Sequence, residues 1–214
     1  MMSLSSFKNV FVLSPHTDDG ELGAGGTIAK LKQFGANIYY FAFSTAEKSV
    51  PKNFDKNILK TEVIEATNIL GIPKENVCLY EYEVRKLNYF RQEILESLIN
   101  HREKIYPDLV LMPNLNDIHQ DHQTISNEGL RAFKNTTILG YELIWNNLKF
   151  STTSYVELQK ENLEKKINSL KKYKSQADKN YFSPDFIMSL AKTRGTQFGV
   201  EYAECFEVIR WKIQ

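Results

Sequence analysis

Short apolar runs alternate along this chain with longer segments of helical periodicity, and that alternation constrains the fold more than any other feature. Asn9–Ser14 reads as a buried strand ended by Pro15, and residues 26–34 read as a helix closed by Gly35. Further strands are expected at residues 37–43, 77–82, 108–112, 138–143 and 205–211. Further helices are expected at 55–70, 87–105, 120–133, 156–173 and 182–193. In 55–70 the apolar positions Ile58, Leu59, Val63, Ile64, Ala66 and Leu70 keep helical spacing up to Gly71. Strands alternating with helices predict a Rossmann-like three-layer α/β fold, a mainly parallel sheet flanked by helices. In such open sheets a ligand sits outside the carboxyl ends of the strands. That rule marks the residues after the first, second and fourth strands.

Composition removes several alternatives. The chain has 214 residues with no repeat or Pro/Gly-rich linker, so residues 1–214 are read as a single domain. Lysine plus arginine number 27 against 26 acidic residues, a net charge of +1, which excludes a whole-protein electrostatic footprint for nucleic acid. Only two cysteines are present, Cys78 and Cys205, far apart in sequence. That is neither a disulfide framework nor a zinc ribbon, and it suits a reducing cytoplasm. The opening MMSLSSFKNV lacks a secretory pattern, and no apolar run approaches the ~18 residues of a membrane span. The expectation is a cytoplasmic protein with no membrane span and no nucleic-acid partner. A homo-oligomer is left open.

Chemistry concentrates at two of the marked places. After the first strand comes the run His16, Thr17, Asp18, Asp19, Gly20, Glu21, and after the fourth comes Asp117, Ile118, His119, Gln120, Asp121, His122. Three of the four histidines and four aspartates fall there. Imidazole plus carboxylate without thiolate suits Zn²⁺ or another divalent first-row metal. A catalytic zinc commonly keeps three protein ligands, which His16, Asp19 and one of His119 and His122 would supply. Asp18, next to a ligand, is then free to act as a general base. Asp121 falls in the first turn of the following helix, where a carboxylate is favoured and can orient an imidazole. The small residues Gly23, Ala24, Gly25 and Gly26 are read as packing residues that also let the backbone approach a ligand. An Asp-Asp pair or a His-x-x-His pair alone is usually a turn or an ordinary helix face; their coincidence at two strand ends is what carries weight.

These residues also carry a resemblance. His16-Thr17-Asp18-Asp19 followed by Glu21-Leu22-Gly23-Ala24-Gly25-Gly26-Thr27-Ile28 resembles the HPDD…LGxGGT signature of the PIG-L/LmbE-like N-deacetylases. Asp117–His122 resembles that family's D-x-H-x-D-H motif. Tyr173-Lys174-Ser175-Gln176, Arg194-Gly195 and Tyr202–Glu207 are similar to its later segments, in the right order. Thr17 replaces the family's usual proline, and Gly20 stands where many members have Glu or Ala. The resemblance implies His16, Asp19 and His122 as ligands of zinc. It implies Asp18 as general base and His119 as oxyanion stabiliser or proton donor to the leaving amine. Asp121 would tune its neighbouring histidine. The activity implied is hydrolysis of the N-acetyl group of an acetamido sugar, nucleotide sugar or glycoconjugate, giving acetate and a free amine. The alternatives are hydrolysis of another amide or ester, and a non-catalytic, metal-stabilised glycan-binding module.

Weaker signals complete the reading. Arg85 and Trp145 follow the third and fifth strands and are candidate substrate contacts, Arg85 for a hydroxyl or phosphate and Trp145 for a sugar face. Residues 45–57 read either as a lid or as a surface loop. Residues 156–173 interleave Lys and Glu and read as a solvated, salt-bridged helix. Cys78 and Cys205 read as small core residues. His101 is assigned no role.

Overall fold

Alternate residues of an extended strand face opposite sides, and in β1 (Asn9–Ser14) both sides are apolar. Val10 and Val12 enter one core with residues of α1 (Asp19–Gln33), α2 (Ile58–Ile69), α5 (Lys160–Leu170) and α6 (Pro184–Phe198). Phe11 and Leu13 enter a second core with residues of α3 (Arg91–Ile105) and α4 (Gln120–Ala132). The sheet is thus sandwiched between two helical layers. The coordinates are a computed structural model that describes residues 4–213; residues 1–3, where the reading of the leader begins, lie outside them.

The remaining strands are β2 (Asn37–Ala42), β3 (Val77–Leu79), β4 (Leu109–Pro113), β5 (Thr137–Tyr141), β6 (Ser154–Leu158) and β7 (Tyr202–Arg210). Among the described residues they form one seven-stranded sheet in the order β3-β2-β1-β4-β5-β7-β6. The first five strands of that order are parallel. β7 pairs antiparallel with both β5 and β6. The chain leaves β1 toward β2 on one side and returns through α3 to β4 on the other. β1 and β4 therefore flank the topological switch point, where the loops at their carboxyl ends part and leave a crevice. No described helix is long and apolar enough to cross a membrane.

Two expected elements are corrected. The helix expected from residue 26 begins at Asp19, because its glycines are required by packing rather than acting as breakers. A Cβ at Gly23 would lie 2.3 Å from the ring of Tyr141, and one at Gly25 would lie 2.9 Å from Lys166 Cγ. These glycines bring the helix close to the sheet and α5. The helix expected over 156–173 begins only at Lys160, after a capping box between Gln159 and Asn162. Its first residues instead form edge strand β6, where Val156 and Leu158 face inward at period two.

Nor is α5 solvated all round. Lys166 is buried, and its Nζ donates to Glu204 Oε1 at 2.7 Å and to the Leu22 carbonyl at 2.7 Å. Glu204 in turn accepts from the backbone N–H groups of Gly26 (2.9 Å) and Thr27 (2.6 Å). A regular helix pairs the Leu22 carbonyl with the Gly26 N–H; here both reach the buried ion pair. Cys205 is buried as expected, and Cys78 is half-buried against the second core.

Candidate metal and catalytic site

The loops after β1 and β4 bring their histidines and aspartates together. His16 Nδ1 lies 3.0 Å from Asp19 Oδ2, and His122 Nε2 lies 3.2 Å from the same oxygen. His16 Nδ1 and His122 Nε2 are 3.3 Å apart. The three donor atoms form a nearly equilateral triangle. Ligands bound to a tetrahedral ion at ~2.0 Å are separated by roughly 3.3 Å, so these atoms suit one small divalent cation. Ring nitrogens of all three histidines lie within 4.8 Å of one another. However, His119 has its Nδ1 engaged elsewhere, as the acceptor of the Asp121 backbone N–H at 3.1 Å.

Both imidazoles of the triangle are oriented from behind. His16 Nε2 donates to Asp121 Oδ2 at 3.0 Å, and His122 Nδ1 donates to Asp117 Oδ2 at 2.7 Å. In the neutral imidazole each carboxylate fixes the tautomer whose other nitrogen presents its lone pair to the triangle. Asp121 is itself held by the backbone N–H groups of Arg85 and Leu87. Its carboxylate thus reaches across to His16 in the other loop rather than to an adjoining histidine. Asp117 also accepts from the His119 N–H at 2.8 Å. Asp117 belongs to the second motif, and the one sequence signal for this role is its place five residues before His122.

Electrostatics follow from this crowding. Burial is the largest single influence at His16 and His122 and opposes the imidazolium, but the carboxylates together outweigh it, Asp19 with Asp121 at His16 and Asp19 with Asp117 at His122. Their pKa values rise to about 9 and about 10. Burial would raise Asp19, yet His122 and His16 hold it well below the usual range. Asp18 is raised by burial and by Asp19. His119 is lowered to about 4 by burial and by His122 and His16, so it stays neutral. With Nδ1 accepting a hydrogen bond, its proton lies on Nε2.

A buried scaffold positions the first loop. The Thr17 carbonyl accepts from the hydroxyls of Tyr40 (2.9 Å) and Tyr173 (2.7 Å). Both hydroxyls also contact the buried carboxyl of Glu21, whose pKa burial raises to about 8. β2, α1 and the segment after α5 therefore meet under His16–Asp19.

The site opens into a cleft of about 330 Å³. His16, Asp18, Asp19, His119 and His122 line its floor, and Asp121 lies fully buried behind them. Arg85 and Trp145 both line the cleft. Residues 45–57 contribute Ala46 and Ser49 to its wall, and Lys48 ties that segment to Glu83 at 2.7 Å. Gln176, Lys179 and Tyr181 also line it. Gln176 belongs to a stretch singled out in the sequence; Lys179 and Tyr181 carry no pattern that marks them.

Residues 11–133, more than half of the chain, match the family model described as PIG-L: GlcNAc-PI de-N-acetylase. The chain belongs to the PIG-L family. The later motif-like stretches, from Tyr173 onward, lie beyond the matched residues. The uncharacterized deacetylase YaiS of Escherichia coli K12 is 26% identical over 180 residues, spanning 82% of this chain and 95% of that protein. The diacetylchitobiose deacetylase of Thermococcus kodakarensis is 28% identical over 133 residues, 58% of this chain and 49% of that protein. The solved structure of N,N'-diacetylchitobiose deacetylase from Pyrococcus horikoshii superposes with a TM-score of 0.79 at 21% identity, covering 96% of this chain and 85% of that one. At that identity the likeness shows a shared fold. The PIG-L family, the α/β architecture and a deacetylase kinship, all read from the sequence, are borne out.

Proposed function

We propose that this protein is a zinc-dependent N-deacetylase acting on an acetamido sugar or a conjugate of one. The observation that carries the reading is the triangle of His16 Nδ1, Asp19 Oδ2 and His122 Nε2 beside an Asp18 that is no part of it. The family's deacetylase relatives support the reaction class, and the sugar is taken from the substrates those relatives are named for.

His16, Asp19 and His122 would hold the ion, which when bound supplies Lewis acidity to the amide carbonyl and acidity to a water. Asp18 takes a proton from the attacking water; burial and Asp19 raise its affinity for that proton. His119, neutral with its proton on Nε2, donates a hydrogen bond to the oxyanion as the carbonyl carbon becomes tetrahedral. The proton held by Asp18 passes to the nitrogen as the C–N bond breaks, leaving acetate and a primary amine. Asp121 and Asp117 act through His16 and His122 by fixing their tautomers. Trp145 and Tyr181 stack at 3.9 Å with 15° between their planes and offer a flat wall to a sugar ring.

Purified protein is expected to carry near-stoichiometric zinc and to release acetate from an acetamido sugar, and chelation is expected to stop the release. A panel of free sugars, nucleotide sugars and N-acetylated glycoconjugates, scored for acetate and amine, decides it. Metal-loaded protein that yields neither from any member sinks the proposal.

A further inference from the structure

The two ends of a side-chain amide differ: the nitrogen only donates and the oxygen only accepts. A buried glutamine is therefore satisfied only when each end meets its own kind of partner. Gln176, in the segment between α5 and α6, is 5% exposed and lines the cleft. Its Nε2 donates to Ser175 Oγ at 3.0 Å. Its Oε1 has no partner among the described residues, yet it is not one of the polar atoms sealed within the core.

The residues behind Gln176 fix which end of its amide stays open. Ser175 Oγ donates to Glu62 Oε2 at 2.6 Å, and the Ser175 backbone N–H donates to Glu62 Oε1 at 2.9 Å. A hydroxyl has one proton, and here Glu62 takes it. Toward Gln176 the Ser175 oxygen can then only accept, so the amide nitrogen faces Ser175 and the amide oxygen faces away, toward the cleft. Glu62 is a buried carboxyl of α2 with no cationic partner among the described residues. Such burial is costly, and both its oxygens are used to hold Ser175. The first loop of the site fixes the same segment from the other side, through the Tyr173 hydroxyl and the Thr17 carbonyl at 2.7 Å.

That segment also carries Tyr181, whose stack with Trp145 gives the cleft a flat apolar wall. Lys179 lies between the two in sequence but is drawn to Asp18 and Asp19 on the floor. A sugar ring has an apolar face and an edge of hydroxyls. An aromatic wall suits the face, and a fixed amide oxygen suits a hydroxyl on the edge.

Resting on the deacetylase reading, we infer that Gln176 accepts a hydrogen bond from a ring hydroxyl of the N-acetylated sugar, with the Glu62–Ser175 pair behind it holding the amide in the accepting orientation. Gln176 is thus a specificity residue for a hydroxyl donor at that place, and Ser175 and Glu62 are positioning residues that act through it.

The test uses the methyl glycoside of 2-acetamido-2-deoxyglucose and its 3-, 4- and 6-monodeoxy analogues, scored for acetate release by zinc-loaded protein. With wild type, at least one analogue is expected to lose about tenfold in kcat/KM, because it leaves the amide oxygen without its donor. In Gln176→Met, which keeps the volume and removes the amide, the glycoside itself is expected to fall by a similar factor and that analogue to fall no further. Both changes remove one bond, so their effects do not add. Ser175→Ala keeps Gln176 and removes only the group that turns its amide; it is expected to shrink the same preference at unchanged zinc content. Each preference is a ratio within one protein, so the folded fraction cancels. The inference is overturned if no analogue loses more than twofold with wild type, or if every analogue keeps its wild-type ratio to the glycoside in Gln176→Met. Should wild type release no acetate from the glycoside, the deacetylase reading fails on this sugar separately. Dissociation constants of the same four compounds, measured by calorimetry on wild type and Gln176→Met, then decide the hydrogen bond by the same ratios, and absence of binding overturns it.

Discussion

Asp18 and Asp19 are neighbours in sequence with opposite protonation preferences. Asp19 faces two imidazoles and is held ionised; Asp18 faces Asp19 in a buried setting and is pushed toward its neutral form. That division suits a ligand beside a base. Asp18→Asn is expected to keep its zinc, measured by metal analysis, while kcat for acetate release falls about 10²- to 10⁴-fold. Unchanged turnover would remove Asp18 as the base. Asp117 works at one remove, through His122 Nδ1. Asp117→Ala is expected to weaken metal affinity about 10- to 100-fold in competition with a chromophoric chelator, since the imidazole loses its orienting acceptor. An affinity equal to wild type would show that His122 needs no such support.

At the scale of elements, α1 does most to place the site, because it starts at Asp19 and its glycines set its distance from the sheet. Alanine is the better helix former by about 1 kcal/mol. At Gly23, however, its methyl would fall within the ring of Tyr141, whose hydroxyl is tied to the Leu13 carbonyl at 2.9 Å. Gly23→Ala is expected to destabilise the protein by about 1–3 kcal/mol in urea unfolding, the usual cost of overpacking. A more stable variant would mean that Tyr141 moves freely. The start of this helix was misplaced from sequence for the same reason. Glycine-rich stretches read as breaks unless the surface they press against is known. Residues 156–159 depart in the opposite way, since lysines and glutamates at helical spacing hid an edge strand of five residues and the buried Lys166.

Across the whole molecule, the far core contributes a pH dependence unrelated to the site. His101 of α3 contacts the Tyr80 hydroxyl at 3.0 Å and packs on Phe41, with Lys104 on its own helix. Burial and then Lys104 lower its pKa below the ordinary 6.5. The unfolded chain therefore binds this proton more readily than the folded one. The associated stability is complete above pH 6.5 and is lost as pH falls through that value toward the folded pKa. His101→Gln is expected to lose less of its urea midpoint than wild type between pH 7.5 and pH 5.5. An equal or larger loss would assign the acid sensitivity to other groups.

The alternation of apolar runs was enough for the α/β class, because period two and period 3.6 are local properties of a backbone. The switch-point rule then turned strand order into a short list of loops, and that list contained His16, Asp18, Asp19, His119, Asp121 and His122. Spacing alone left His119 and His122 equivalent as ligands. Their difference is tertiary: His119 spends its Nδ1 capping α4, while His122 has Asp117 behind it and Asp19 in front. Lys179 and Tyr181 reach the cleft only because the segment between α5 and α6 folds back over it. The open amide oxygen of Gln176 is likewise invisible in sequence. A residue's chemistry is written in the chain, but whether its polar atoms are already satisfied depends on which distant groups the fold brings within about 3 Å.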